Sequence, residues 1–200
     1  MTPKDGLPYF PHDNSETKIL ILGTFPSTTA LETGEYYSNK GNMFWDMLED
    51  VLSERGLKDL SYKNKEQVLT KYKITLWDII RNCEREGAAD ANIIQETAKP
   101  TNIRKKFLGN KKTLEIIIIN GVSQKNNDGT LGSRGWFEHF YGDIKTFETE
   151  NKVKVVCLHQ TSSMAKKDFN IKEWEDNIRP YINYTDNKKP KAFVIKKNKT

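Results

Sequence analysis

The chain has 200 residues, 36% of them hydrophobic and 30% charged, which suits one folded domain with a real core and excludes a disordered chain. No apolar stretch approaches the roughly 20 residues that span a bilayer, Met1-Thr2-Pro3-Lys4-Asp5-Gly6 lacks the apolar centre of a secretion signal, and the two cysteines, Cys83 and Cys157, make neither a disulfide framework nor a zinc site. The net charge of +5 belongs to the C-terminal end: residues 185–200 hold six lysines and one acid, Asp186, leaving 26 basic and 26 acidic residues over 1–184. A cytoplasmic, monomeric protein is expected, with one domain over 1–184 and a lysine-rich tail over 185–200. That tail either lies on phosphates or is a solvated end.

In chain order, Lys18-Ile19-Leu20-Ile21-Leu22-Gly23 is a short apolar run stopped by glycine, as in a strand buried on both faces. Met43 to Arg55 carries Phe44, Met47, Leu48, Val51 and Leu52 at helical spacing and predicts a helix stopped by Gly56. Glu66 to Tyr72 predicts a shorter helix and Ile74-Thr75-Leu76-Trp77 a second strand. Asn92 to Thr97 and Thr101 to Leu108 predict two short helices, the second capped by Thr101.

Leu114 to Ile119 is the clearest strand, with four isoleucines in a row, and it ends at Asn120-Gly121. A polar, glycine-rich segment leads to an aromatic helix, Trp136 to Tyr141. Lys152 to Leu158 is the fourth strand and Ile171 to Ile182 the closing amphipathic helix. Strands alternating with helices predict an α/β fold with a parallel sheet covered on both faces. Ligands of such folds sit outside the carboxyl ends of the strands.

Those ends are Gly23-Thr24-Phe25-Pro26-Ser27-Thr28-Thr29, Asp78, Asn120-Gly121 and His159-Gln160-Thr161-Ser162-Ser163. Their side chains suit hydrogen bonding to a polar ligand, and the Ser/Thr clusters suit phosphate oxygens. Polar strand-end loops also occur in any α/β protein. The first loop lacks the later glycines of a dinucleotide cradle and the Lys-Ser/Thr of a P-loop. No G-x-S-x-G is present, and His12, His139 and His159 have no metal-ligand spacing. One segment narrows the choice. Glu35 to Trp45 places Tyr36, Tyr37, Phe44 and Trp45 around Asn39 and Asn42, and aromatic faces beside amides suit a pocket that stacks and reads a base.

Taken together, Gly23-Thr24-Phe25-Pro26-Ser27, Tyr36-Tyr37 and Asn42-Met43-Phe44-Trp45 resemble the start of the uracil-DNA glycosylase superfamily, closest to its hypoxanthine-DNA glycosylase branch. Leu76-Trp77-Asp78-Ile79-Ile80, then Cys83, Arg85, Gly87 and Asp90, and Asn120-Gly121 extend the likeness over roughly residues 18–165. It implies a three-layer α/β/α sandwich with a central four-stranded parallel sheet, no cofactor, and DNA containing a deaminated base as partner. Phe25 stands where most of the superfamily has a water-positioning Asp or Asn. The branch pattern therefore points to Asn42 as the catalytic polar group, with Asp78 second. His159, in Leu158-His159-Gln160-Thr161-Ser162, stands either for the family's histidine or for its proline.

The resemblance implies a monofunctional hydrolase that flips the damaged nucleotide and leaves an abasic site. Ser27, Thr161, Ser162 and Ser163 would grip phosphates. Phe25 and Tyr36 or Tyr37 would stack on the base, and Asp78 or Asn120 would accept from its ring N–H. His159 would stabilise the departing base anion while Asn42 orients water; the many lysines leave a Schiff-base nucleophile open. A non-catalytic member that binds DNA or a nucleotide is the competing reading, favoured by Phe25. An unrelated α/β hydrolase of small nucleosides is a third.

Overall fold

Ile116 to Ile119 are fully buried and β-branched, and a strand of such residues must be covered on both faces. Burying each isoleucine contributes about 1.5–3 kcal/mol, so this strand anchors the core. The structure is a computed structural model and describes residues 2–12, 15–109, 113–162 and 170–182. Its elements are β1 (Lys4–Asp5), β2 (Ile19–Gly23), α1 (Thr28–Thr33), α2 (Phe44–Leu52), α3 (Tyr62–Lys71), β3 (Ile74–Asp78), β4 (Ile80–Cys83) and β5 (Lys99–Pro100). There follow α4 (Ile103–Phe107), β6 (Ile116–Asn120), α5 (Ser133–Tyr141), α6 (Ile144–Asn151), β7 (Lys154–Leu158) and α7 (Ile171–Ile178).

Four strands form a parallel sheet in the order β3-β2-β6-β7. The register pairs Gly23 with Asp78, Leu22 with Ile119, and Asn120 with Leu158, which brings the four carboxyl ends level. Strand order reverses between β2 and β6, because β3 lies on one side of β2 and β6 and β7 on the other. Right-handed crossovers in opposite directions put α2 and α3 on one face and α5 and α6 on the other. Helix α7 joins α2: Trp174 meets Phe44 edge-on at 6.4 Å, and Arg179 Nε donates to the Val51 carbonyl at 3.1 Å. The expected sandwich with a four-stranded parallel sheet is therefore the observed one. No helix of the described residues is long and apolar enough to cross a membrane.

A second, antiparallel sheet of order β1-β4-β5 has no counterpart in the sequence reading. Two of its strands are two residues long, too short to show a period. The N-terminal segment then runs along the edge of β3, where Phe10 and Leu76 exchange main-chain hydrogen bonds at 2.9 and 2.7 Å and close an otherwise open edge.

Several boundaries differ from expectation for local reasons. Helix α2 ends at Ser53, in the left-handed region at φ 55°, and Gly56 instead introduces a short 3-10 turn over Leu57–Asp59. Helix α3 begins at Tyr62, capped by Ser61. Asn92 to Thr97 is not a helix but part of two 3-10 turns, Asp90–Asn92 and Gln95–Thr97. Asn102, not Thr101, caps α4, because the Thr101 hydroxyl is drawn to the Asp78 and Ile79 carbonyls at 2.8 and 3.1 Å. Helices α1 and α6 are additions, and the closing helix stops at Ile178 before a 3-10 turn. Cys83 and Cys157 are free, and burial pushes both thiols up to about 11.

Candidate active site

The crevice of an open α/β sheet lies where its strand order reverses, here between the ends of β2 and β6. Gly23 ends β2, and a Cβ there would stand 2.5 Å from Asp78 Oδ1 and 3.8 Å from Tyr37 Oη. The absent side chain is what admits the Asp78 carboxyl to the strand end. Asp78 is 4% exposed, and its Oδ2 is buried with no hydrogen-bond partner among the described residues. A buried carboxyl without a partner is costly when ionised. Burial, and then the Asp90 carboxylate, push Asp78 up to about 8; the Tyr36 hydroxyl and the Arg85 guanidinium pull the other way by less. At neutral pH the group is an un-ionised acid that can donate as well as accept.

Asn120 ends β6 and joins the neighbouring loops. Its Nδ2 donates to Tyr37 Oη at 3.3 Å and to Thr161 Oγ1 at 3.1 Å, and its Oδ1 accepts from the Thr161 main-chain N–H at 3.0 Å. The Thr161 carbonyl in turn accepts from Met43 N at 2.8 Å. Segments 83, 41 and 118 residues apart thus meet at one rim. Tyr37 sits there at φ 55°, with its ring stacked on Phe44 at 3.8 Å. Such a backbone costs a non-glycine residue about 1–3 kcal/mol and persists where surrounding contacts impose it.

Asn42 is half-buried beside Met43. Its Oδ1 accepts from Phe44 N at 2.9 Å, an Asx turn at the entrance to α2. His159 follows β7, two residues before Thr161, and its Nδ1 faces Glu173 Oε2 at 2.9 Å. Asn42 and His159 therefore lie on the same rim, each next to the Thr161 knot.

The first loop is held by Arg85, which the sequence likeness includes without giving it a role. Arg85 is 7% exposed, donates from Nη2 to the Pro26 carbonyl at 2.8 Å, pairs with Asp90 at 3.3 Å, and lies 5.0 Å over the Phe25 ring. Phe25 and Tyr36 are themselves in the core. A Cβ on Gly6 would meet Phe25 Cε2 at 3.3 Å, and the Tyr36 hydroxyl donates to the Leu7 carbonyl at 3.3 Å. Both aromatics are thus covered by the N-terminal segment, and Tyr37 is the more open of the tyrosines. Burial raises the Tyr36 and Tyr37 hydroxyls above the ordinary phenol range, so both stay protonated.

Of the residues expected to hold phosphate, Ser27 caps α1, its Oγ accepting from Ala30 N at 3.1 Å. Thr161 is fully buried and committed to Asn120 and Met43. Ser162 is half-buried, and Ser163 and the 185–200 tail lie outside the described residues. Thr24 of the first loop and Ser133, which no sequence pattern singled out, have hydroxyls 2.8 Å apart that bond each other and tie the β2 loop to the start of α5.

Comparison with known proteins identifies the family of this chain. The family model for the uracil DNA glycosylase superfamily matches residues 10–177. A hypoxanthine DNA glycosylase of Methanosarcina barkeri is 32% identical over 133 residues, spanning 66% of this chain and 80% of that protein. The hypoxanthine DNA glycosylase of Methanosarcina acetivorans is 34% identical over the same shares. A solution NMR structure from Methanosarcina acetivorans, described as a candidate uracil DNA glycosylase, covers 90% of this chain and 99% of its own, with a TM-score of 0.64 at 24% identity.

Proposed function

Because this chain belongs to the uracil DNA glycosylase superfamily, we propose that it is a DNA repair glycosylase that hydrolyses the N-glycosidic bond of a flipped, deaminated base and leaves an abasic site. Its relatives' names point to hypoxanthine, and the family's name to uracil as the alternative. The observation that carries the reading is Asp78 Oδ2, a carboxyl oxygen buried at the strand-order reversal with no hydrogen-bond partner among the described residues. A buried polar atom without a partner calls for a ligand that supplies one.

Breaking the glycosidic bond puts negative charge on the base and positive charge on the sugar. Asp78, un-ionised at neutral pH, donates its O–H toward the base as that charge develops, the role of a protonated acid in an oxyanion hole. Its other oxygen accepts from a ring N–H. His159 meets the departing anion from the opposite wall. Asn42 directs water to C1′ late, once the sugar is cationic, since an amide is a weak base. Tyr37 offers a ring face, its other face stacked on Phe44, and Asn120 holds Tyr37 in place. Ser27, Ser162 and Ser163 contact flanking phosphates. The protein works as a cytoplasmic monomer of one domain over 1–184.

The test is release of free base from duplexes containing hypoxanthine, uracil or xanthine. Free base with an alkali-sensitive strand is expected. Tight binding of damaged duplex with no release at stoichiometric enzyme would replace the proposal with a binding protein.

A further inference from the structure

His159 is held by two consecutive residues of α7 that belong to no recognised motif. Glu173 Oε2 accepts from the His159 main-chain N–H at 3.1 Å and faces the ring Nδ1 at 2.9 Å. Trp174, fully buried, donates its indole N–H to the His159 carbonyl at 3.0 Å. Both main-chain groups and one ring nitrogen are therefore fixed from a helix that is itself anchored in the core. An ionised carboxylate only accepts, so the hydrogen between them sits on Nδ1. Nε2 is left, without a partner among the described residues, on a ring 41% exposed.

We propose that Glu173 is a positioning residue for base release and acts through His159: it fixes the rotation and tautomer of the imidazole so that Nε2 faces the departing base. The inference rests on the glycosylase reading above. When the bond between C1′ and the base nitrogen breaks, its electron pair leaves with the base. Nε2 meets that charge as a donor when the ring carries its second proton, and the Glu173 carboxylate balances the imidazolium. The water oxygen bonds to C1′ and gives up a proton to solvent. In this arrangement α7 reaches the chemistry through one hydrogen bond.

The experiment measures base release by the full chain and by E173A, E173Q, H159A and the H159A/E173A double variant. E173A should lower kcat about 10- to 100-fold, part of what one donor to a developing anion contributes, with KM unchanged. E173Q keeps an acceptor without the charge and should fall between. In the H159A background E173A should cost nothing more. NMR of the imidazole nitrogens should place the neutral ring's hydrogen on Nδ1 in the wild type and divide it between the nitrogens in E173A. Wild-type kcat in E173A, or an equal loss in both backgrounds, would overturn the positioning role and leave a helix anchor. A wild-type protein that releases no base from any duplex would remove the glycosylase reading itself, a result visible before any variant is compared.

Discussion

Asp78 Oδ1 lies 2.5 Å from the point that a Cβ on Gly23 would occupy, so the two residues paired across β2 and β3 share one side chain's worth of space. Gly23→Ala forces the short, buried Asp78 side chain to turn away or the strand ends to part. Overpacking of this kind costs about 1–3 kcal/mol. The variant should melt lower and release base at least about tenfold more slowly, since a 1 Å displacement can cost more than that. Thermal unfolding and base release read the two effects. A variant that melts lower but cleaves normally would separate Asp78 from the chemistry.

The Asp78 carboxyl also sets a pH dependence. Its pKa is pushed up to about 8 by burial, then by Asp90, while in the unfolded chain an aspartate loses its proton near pH ~4. Between about pH 4 and about 8 the native state holds a proton that the unfolded state has released, so stability falls as pH rises through that window and levels off above it. Asp78→Asn is neutral throughout. It should be less pH-sensitive and, at neutral pH, at least as stable, with a difference on the order of a few kcal/mol. Base release by the wild type should decline above about pH 8, while the Asn variant keeps a donor and loses that decline. Denaturation midpoints that run parallel with pH for the two proteins would show an Asp78 ionised in both states.

The sheet and the rim are legible in the chain because they depend on runs of residues: four isoleucines need cover on both sides, and the polar segments that stop each strand mark its end. The clamp on the first loop is not legible. Arg85 reaches the Pro26 carbonyl across 59 residues, and although the family likeness includes Arg85, nothing near it in sequence gives it that contact. Glu173 is hidden for the same reason, since its bond to His159 depends on where α7 packs. Phe25 and Tyr36 show the opposite failure. Their loop setting suggests an open stacking platform, yet Gly6 and Leu7 lie over them through pairings of two-residue strands that carry no period. Thr161 reads as a phosphate ligand from its Ser/Thr neighbours, while register places it against Asn120, where its hydroxyl and peptide satisfy a buried amide.

Asn120→Ala leaves the Thr161 peptide N–H and hydroxyl and the Tyr37 hydroxyl short of their partner. Buried groups left unsatisfied cost about 1–3 kcal/mol each, so a loss of about 2–4 kcal/mol is expected once the loops relax. Tyr37→Phe removes a single bond and should cost about 0.5–1.5 kcal/mol. Urea unfolding of both variants checks the order. If Asn120→Ala unfolds like the wild type but accepts undamaged bases, the amide reads the base rather than holding the rim.

Asn42→Ala removes two things at once, the Asx turn into α2 and the amide proposed to direct water. The turn's single hydrogen bond to Phe44 contributes about 1 kcal/mol, whereas a group that handles the attacking water contributes on the order of 100-fold or more in rate. Asn42→Asp separates them. An aspartate accepts from Phe44 N as asparagine does, so stability should match the wild type, and its carboxylate is the stronger base toward water, so base release should exceed that of the alanine variant. If the alanine variant loses the turn's stability and still releases base at the wild-type rate, Asn42 is a helix-entry residue alone, and water must be directed by another group on the rim.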